Sequence, residues 1–200
     1  MFETFVAGLR TTTALESVSV ATGLAYALLA VKRIRWCWVA GGVSSSILAY
    51  LAARGRLPMQ ATLQVYYVAM SFYGFWRWSG EDGKAGKAVT TWPLRSHLLA
   101  WLAIFGLSAL SARWLAAETQ AAWPFLDSLT TWASLLATWL VARTKLENWL
   151  YWIAADSVLV FLLIKQQMMF VAALFMAYLV ISVIGFVTWS RNYRRHAPVS

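Results

Sequence analysis

At 200 residues, 60% of them hydrophobic and only 12% charged, with a mean hydropathy of +0.60, the chain is too apolar for a soluble domain of this size. A net charge of +9 fits a nucleic-acid partner only until its placement is read: nearly all the basic residues lie in short stretches between apolar runs, where they report membrane topology. The single cysteine, Cys37, excludes an internal disulfide and any cysteine-based metal cluster, and no motif for a cofactor or metal is present.

The apolar runs are close to twenty residues long and hydrophobic all round, which predicts spanning helices and not the alternating strands of a barrel. The first eleven residues, MFETFVAGLRT, lack the basic start and the long apolar core of a cleavable signal. Seven spans follow, at 12 to 31, 36 to 53, 60 to 78, 97 to 116, 121 to 141, 146 to 164 and 167 to 189. Glu16 and Asp127 open the first and fifth spans and read as outer-vestibule acids, with proton coupling as the other reading. Gly41, Gly42, Ser44, Ser45 and Ser46 on the second span read as close packing. The long polar connector, SGEDGKAGKAVTTWPLRS, reads as solvated and without a motif. On the fifth span Thr130, Thr131, Ser134 and Thr138 either line a path or pack helices, as small hydroxyls do in lipid. The sixth span carries LENWLYWIAAD, in which Trp149, Trp152 and Asp156 share one side. Asp156 falls near its middle, where an acid costs about 2.5 to 3.5 kcal/mol to insert and so usually faces a bundle interior or a wet cavity. It is the leading binding-site candidate; the alternative is a structural acid bonded to Ser44 to Ser46.

Twelve basic residues fall in one set of alternate loops and five in the other, which by the positive-inside rule puts the N-terminus outside and the C-terminus in the cytosol. Pro58, Pro93, Pro124 and Pro198 all lie in loops, the tail or a first turn, so the helices should be largely unbroken. Tryptophans near span ends, Trp36, Trp38, Trp76, Trp78, Trp92, Trp114, Trp123 and Trp189, read as an interfacial belt.

An internal repeat organises these spans. A gapless shift of 111 residues lays 15 to 79 on 126 to 190 with sixteen identities in sixty-five positions, where composition alone gives about five. Tyr67, Ser71, Gly74, Phe75, Trp78 and Ser79 meet Tyr178, Ser182, Gly185, Phe186, Trp189 and Ser190, and Trp38 meets Trp149. The expected fold is therefore an all-α integral membrane domain of seven helices in a 3+1+3 parallel repeat. Its parts are a first three-helix bundle at 12 to 78, a linker helix at 97 to 116 and a second bundle at 121 to 189.

This plan resembles the SWEET superfamily, and the wording of the chain resembles the PnuC nicotinamide riboside transporters. The matching pieces are LQVYYVAMSFYGFWRW, PFLDS with the serine of ASLLA, ENWLYWIAAD, and the glycine and tryptophan of IGFVTW. The resemblance implies facilitated diffusion of a vitamin precursor through a midplane site between the two bundles, in a homotrimer in the bacterial inner membrane. It carries the tryptophan motif of that family onto Trp149, Trp152 and Asp156, with Asn148 in the same stretch, and the helix-3 glutamine and YG pair onto Gln64, Tyr73 and Gly74. Tyr67, Ser71, Thr131, Ser134 and Thr138 complete the expected substrate site. The chain departs from relatives that carry asparagine in place of Asp156 and Ser71. Nicotinamide riboside is a cationic aromatic, which tryptophan faces attract by about 0.5 to 2 kcal/mol each. Thiamine, another cationic vitamin, is the alternative ligand.

Rival functions find less support. His97 stands at a span end and His196 in the tail, so no serine–histidine pair forms at depth for an intramembrane enzyme. A retinal protein needs a lysine in its last helix, and 167 to 189 has none. No phosphate-binding loop couples the chain to ATP.

Overall fold

The computed structural model describes residues 13–55, 58–79, 88–118 and 122–196. Among the described residues there are seven helices: α1 (Ala14–Val31), α2 (Cys37–Arg54), α3 (Pro58–Arg77), α4 (Leu94–Glu118), α5 (Pro124–Ala142), α6 (Asn148–Lys165) and α7 (Met169–His196). Arg10, Arg56, Lys84, Lys87, Pro198, the first eleven residues and both chain ends lie outside the described residues.

Local chemistry sets the ends. Thr13 and Glu16 form a capping box on α1: Thr13 Oγ1 accepts from the Glu16 N–H at 3.3 Å and Glu16 Oε2 accepts from the Thr13 N–H at 2.6 Å. Pro124 starts α5, where its missing N–H is no loss, so this helix begins three residues later than its apolar run. The tight connections α1–α2, α5–α6 and α6–α7 each turn on one residue of positive φ: Arg33 at 56°, Thr144 at 53° and Gln167 at 60°. At its far end α7 continues past Trp189 through Arg191, Asn192 and Arg195, because a helix does not stop where its apolar run leaves the lipid.

Six helices close a ring. α1 packs on α2, α2 on α3, α3 on α5, α5 on α6, α6 on α7 and α7 back on α1, while α4 lies outside against α5. Five of the seven, α1, α4, α5, α6 and α7, are long and apolar enough to cross a membrane. α2 and α3 carry more polar residues, and several of those face protein: Ser44, Ser45, Gln64 and Ser71 are buried, while Ser46, Gln60 and Thr62 are exposed alongside Val43, Tyr50, Val65 and Phe72. A hydropathy average counts the four buried side chains as if they met lipid.

Contacts recur at positions 111 apart. Trp78 of α3 donates its indole N–H to Ala142 O at the end of α5, at 3.2 Å, and Trp189 of α7 donates to Val31 O at the end of α1, at 3.0 Å. Trp38 lies over Gly74, and Trp149 lies over Gly185, where a Cβ would come within 2.6 Å of the indole. These glycines are notches for a ring.

Two expectations are corrected. Trp38, Trp78 and Trp189 are not belt residues: they are 2%, 1% and 1% exposed, with Trp38 edge-on to Trp78, Trp78 tilted against Trp189 and Trp189 edge-on to Trp149, two of the indole N–H groups being satisfied by helix-end carbonyls. The connector before α4 is not solvated throughout, because residues 88–92 are strapped to the α5–α6 turn. Thr90 N–H donates to Thr144 O, Leu146 N–H to Thr90 O, and Val89 is buried. His97 is half-buried, with Nδ1 3.1 Å from Tyr151 Oη and Nε2 3.7 Å from Glu147 Oε1.

Candidate functional site

Asp156 is the ninth residue of the eighteen in α6 and is 2% exposed, facing the inside of the ring. Ser182 of α7, also buried, lies beside its carboxyl group, and Tyr67 of α3 and Tyr178 of α7 lie within electrostatic reach of it. The expected serines of α2 are not its partners, since Ser44 Oγ donates to Ser19 O at 2.8 Å and Ser46 Oγ to Gly42 O at 2.7 Å. Asp156 and Ser182 meet across the α6–α7 contact, whereas Ser44 reaches a carbonyl of α1 and Ser46 folds back on its own helix.

Tyrosines cross between the halves beside this carboxyl. Tyr67 lies beside Ser134 of α5, and Tyr178 Oη sits where a Cβ at Gly23 of α1 would lie 2.5 Å away. Ser134 and Gly23 are themselves 111 residues apart, so the same tyrosine meets a serine in one half and a bare backbone in the other. At the same level Tyr66 Oη donates to Leu135 O at 2.9 Å. The seam therefore joins a carboxyl, three phenols and small hydroxyls from α3, α5, α6 and α7.

The other expected residues are placed as follows. Gln64 is buried on α3, and Ser71, also buried, donates to Val68 O of its own helix at 2.7 Å beside Gly42. Thr131 donates to Asp127 O at 2.8 Å and Thr138 to Ser134 O at 2.9 Å, so both hydroxyls are satisfied by the preceding turn of α5. Trp152 is half-buried and packs against both apolar clusters of the molecule. Tyr73, Asn148 and Trp149 belong to the end of the ring and not to the seam around Asp156. Tyr73 tilts against Trp76, Asn148 Nδ2 donates to Lys145 O at 2.6 Å, and Trp149 stacks edge-on against Trp189. Tyr178 and Ser182 were missed. The repeat already pointed to them, because they are the mates of Tyr67 and Ser71.

With this geometry in place, likeness to known proteins can be weighed. A family model described as nicotinamide mononucleotide transporter matches residues 13–191. The chain is 27% identical over 141 residues to the riboflavin/roseoflavin transporter RibM of Streptomyces davaonensis, covering 68% of this chain and 65% of that protein's length. It is 24% identical over 197 residues to the nicotinamide riboside transporter PnuC of Neisseria mucosa, covering 92% of this chain and 74% of that one. The crystal structure of a vitamin B3 transporter PnuC superposes with a TM-score of 0.74 at 23% identity, over 92% of this chain and 83% of that one. The chain thus shares the all-helical, multi-pass fold of PnuC and belongs to the nicotinamide mononucleotide transporter family.

Proposed function

We propose that the protein is a facilitative transporter of nicotinamide riboside in the bacterial inner membrane, with its ligand at mid-depth in the seam between two three-helix bundles, α1–α3 and α5–α7. The observation that carries this reading is Asp156, a buried carboxyl halfway along a spanning helix, with Ser182, Tyr67 and Tyr178 set around it and no ion pair to it among the described residues. A buried acid without a cationic partner is costly in lipid, and the fixed charge of a pyridinium ring offsets that cost when the ligand is present. Trp152, one turn before Asp156, offers an aromatic face to the same ring. Gln64, Ser71, Ser134, Tyr67 and Tyr178 supply polar contacts for the ribose. Family membership and the PnuC relative support the substrate class.

The same reading takes the two halves as copies in a parallel repeat, with α4 as the inverting linker, all seven helices as spans, the N-terminus outside, and a homotrimer as the assembly. The recurrence of contacts at a spacing of 111 residues supports the repeat; the orientation rests on the distribution of basic residues and the trimer on the resemblance to the family. A second ligand class has its own support: the relative RibM is named for riboflavin and roseoflavin. Thiamine stands as the cationic alternative. Quenching of tryptophan fluorescence, titrated with nicotinamide riboside, thiamine and riboflavin, separates the three. Saturable quenching by nicotinamide riboside is expected; saturation by riboflavin alone would overturn the choice of ligand.

A further inference from the structure

The end of the ring that carries the α1–α2 and α5–α6 turns is closed by four indoles in a row. Trp38 meets Trp78 at 5.5 Å between ring centroids, Trp78 meets Trp189 at 6.2 Å, and Trp189 meets Trp149 at 5.5 Å. Among the described residues, Trp78–Trp189 is the ring contact that crosses from one half to the other. The outer two belong each to its own half, locked in the notches at Gly74 and Gly185. The inner two are tied to the opposite half, Trp78 to Ala142 O and Trp189 to Val31 O. Val89, from the strap before α4, is buried in the same apolar cluster.

We propose that Trp78 and Trp189 are the gate of this end of the transporter, shown here closed. The proposal rests on the transport reading above: a ligand held at the depth of Asp156 reaches this end only if the two inner indoles part. The chemistry suits repeated opening. Each bond is made to a carbonyl at the C-terminus of a helix, a group with no partner in its own helix, and at the end of a span water can take over both the carbonyl and the indole N–H. Opening therefore exchanges hydrogen bonds and leaves none unmade. Deeper in the seam the Tyr66 and Tyr67 contacts of α3 with α5 provide the points about which the halves rock. The outer indoles, held against glycine, keep each half rigid while this happens.

The sole cysteine makes a reporter. Cys37 opens α2 beside Trp38, is 0% exposed, and lies in the same cluster as the four indoles. Its alkylation by N-ethylmaleimide, followed by mass spectrometry on the full chain in nanodiscs without ligand, reads how often this end opens. Trp78→Phe and Trp189→Phe each remove one N–H donor and should each speed alkylation about fivefold. Trp132→Phe removes an equivalent bond, Trp132 Nε1 to Ser111 Oγ at 3.1 Å between α4 and α5, and should leave the rate unchanged. Benzothienylalanine at position 78 or 189 keeps the ring shape without the N–H and serves if a phenylalanine variant folds poorly. Unchanged rates in the folded Trp78 and Trp189 variants, or equal acceleration in Trp132→Phe, would overturn the gate. Because no ligand enters this measurement, a chain that carried no vitamin would still give the pattern, and absence of flux would count against the transport reading alone.

Discussion

Asp156 and its neighbours show how much one position can decide. Removing the charge but keeping the shape, Asp156→Asn retains an acceptor beside the Ser182 hydroxyl, so transport should persist at reduced affinity. Asp156→Ala leaves the ligand's cation without a partner, and affinity measured by calorimetry should fall much further. Trp152→Ala should weaken binding by about 1 to 3 kcal/mol through lost stacking, with some loss of thermal stability because the indole also packs on both clusters. The glycines make an independent test of packing. Gly185→Ala puts a methyl 2.6 Å from the Trp149 indole and should destabilise by about 1 to 3 kcal/mol in a thermal melt, whereas Gly106→Ala on α4 meets nothing within 4 Å and should be neutral or stabilising. Asp156 was legible because a carboxyl in an apolar run has no inconspicuous explanation. Trp38, Trp78 and Trp189 were not, since a tryptophan at a span end looks the same in sequence whether it faces headgroups or another indole.

At the level of helices, the apolar runs locate every element within a few residues and fail where hydropathy and helicity part. α7 continues into its basic end, α4 begins at Leu94 before its apolar core, and α2 and α3 bury polar faces that a window average counts as if exposed. The strap of residues 88–92 was illegible for a different reason: on the strap's own side every bond is made by a backbone group, to the backbone of Thr144 and Leu146 and to the side chains of Thr144, Lys145 and Glu147, and backbone groups carry no sequence signature. The topology gives a prediction at this scale. A reporter fused after Ser200 should lie in the cytosol and one fused before Met1 outside, as seven crossings require; labelling that finds both on one side would mean that one helix, with α2 and α3 the least apolar, does not cross.

The whole molecule is best described by what it does twice. A tryptophan near the end of the third helix of each half reaches the first helix of the other, and a tyrosine two to three turns before it does the same at mid-depth. Such an exchange holds two bundles together at separate depths. Alternating exposure of a central site then needs one set of contacts to loosen while the other holds. On the proposed repeat the chemistry differs between copies at the centre, where Asp156 answers to Ser45 and Ser134 to Gly23, so the proposed site would be one-sided within a two-fold frame. On the proposed facilitative reading, uptake should follow the ligand gradient alone and be indifferent to ATP. The most direct test is uptake of labelled nicotinamide riboside into proteoliposomes by the wild-type chain and by a Trp152→Ala, Asp156→Ala double variant shown to be folded. Saturable, ATP-indifferent uptake by the wild type and its loss in the double variant is the predicted result; equal uptake by both, or none by the folded wild type, would contradict a vitamin site built on α6.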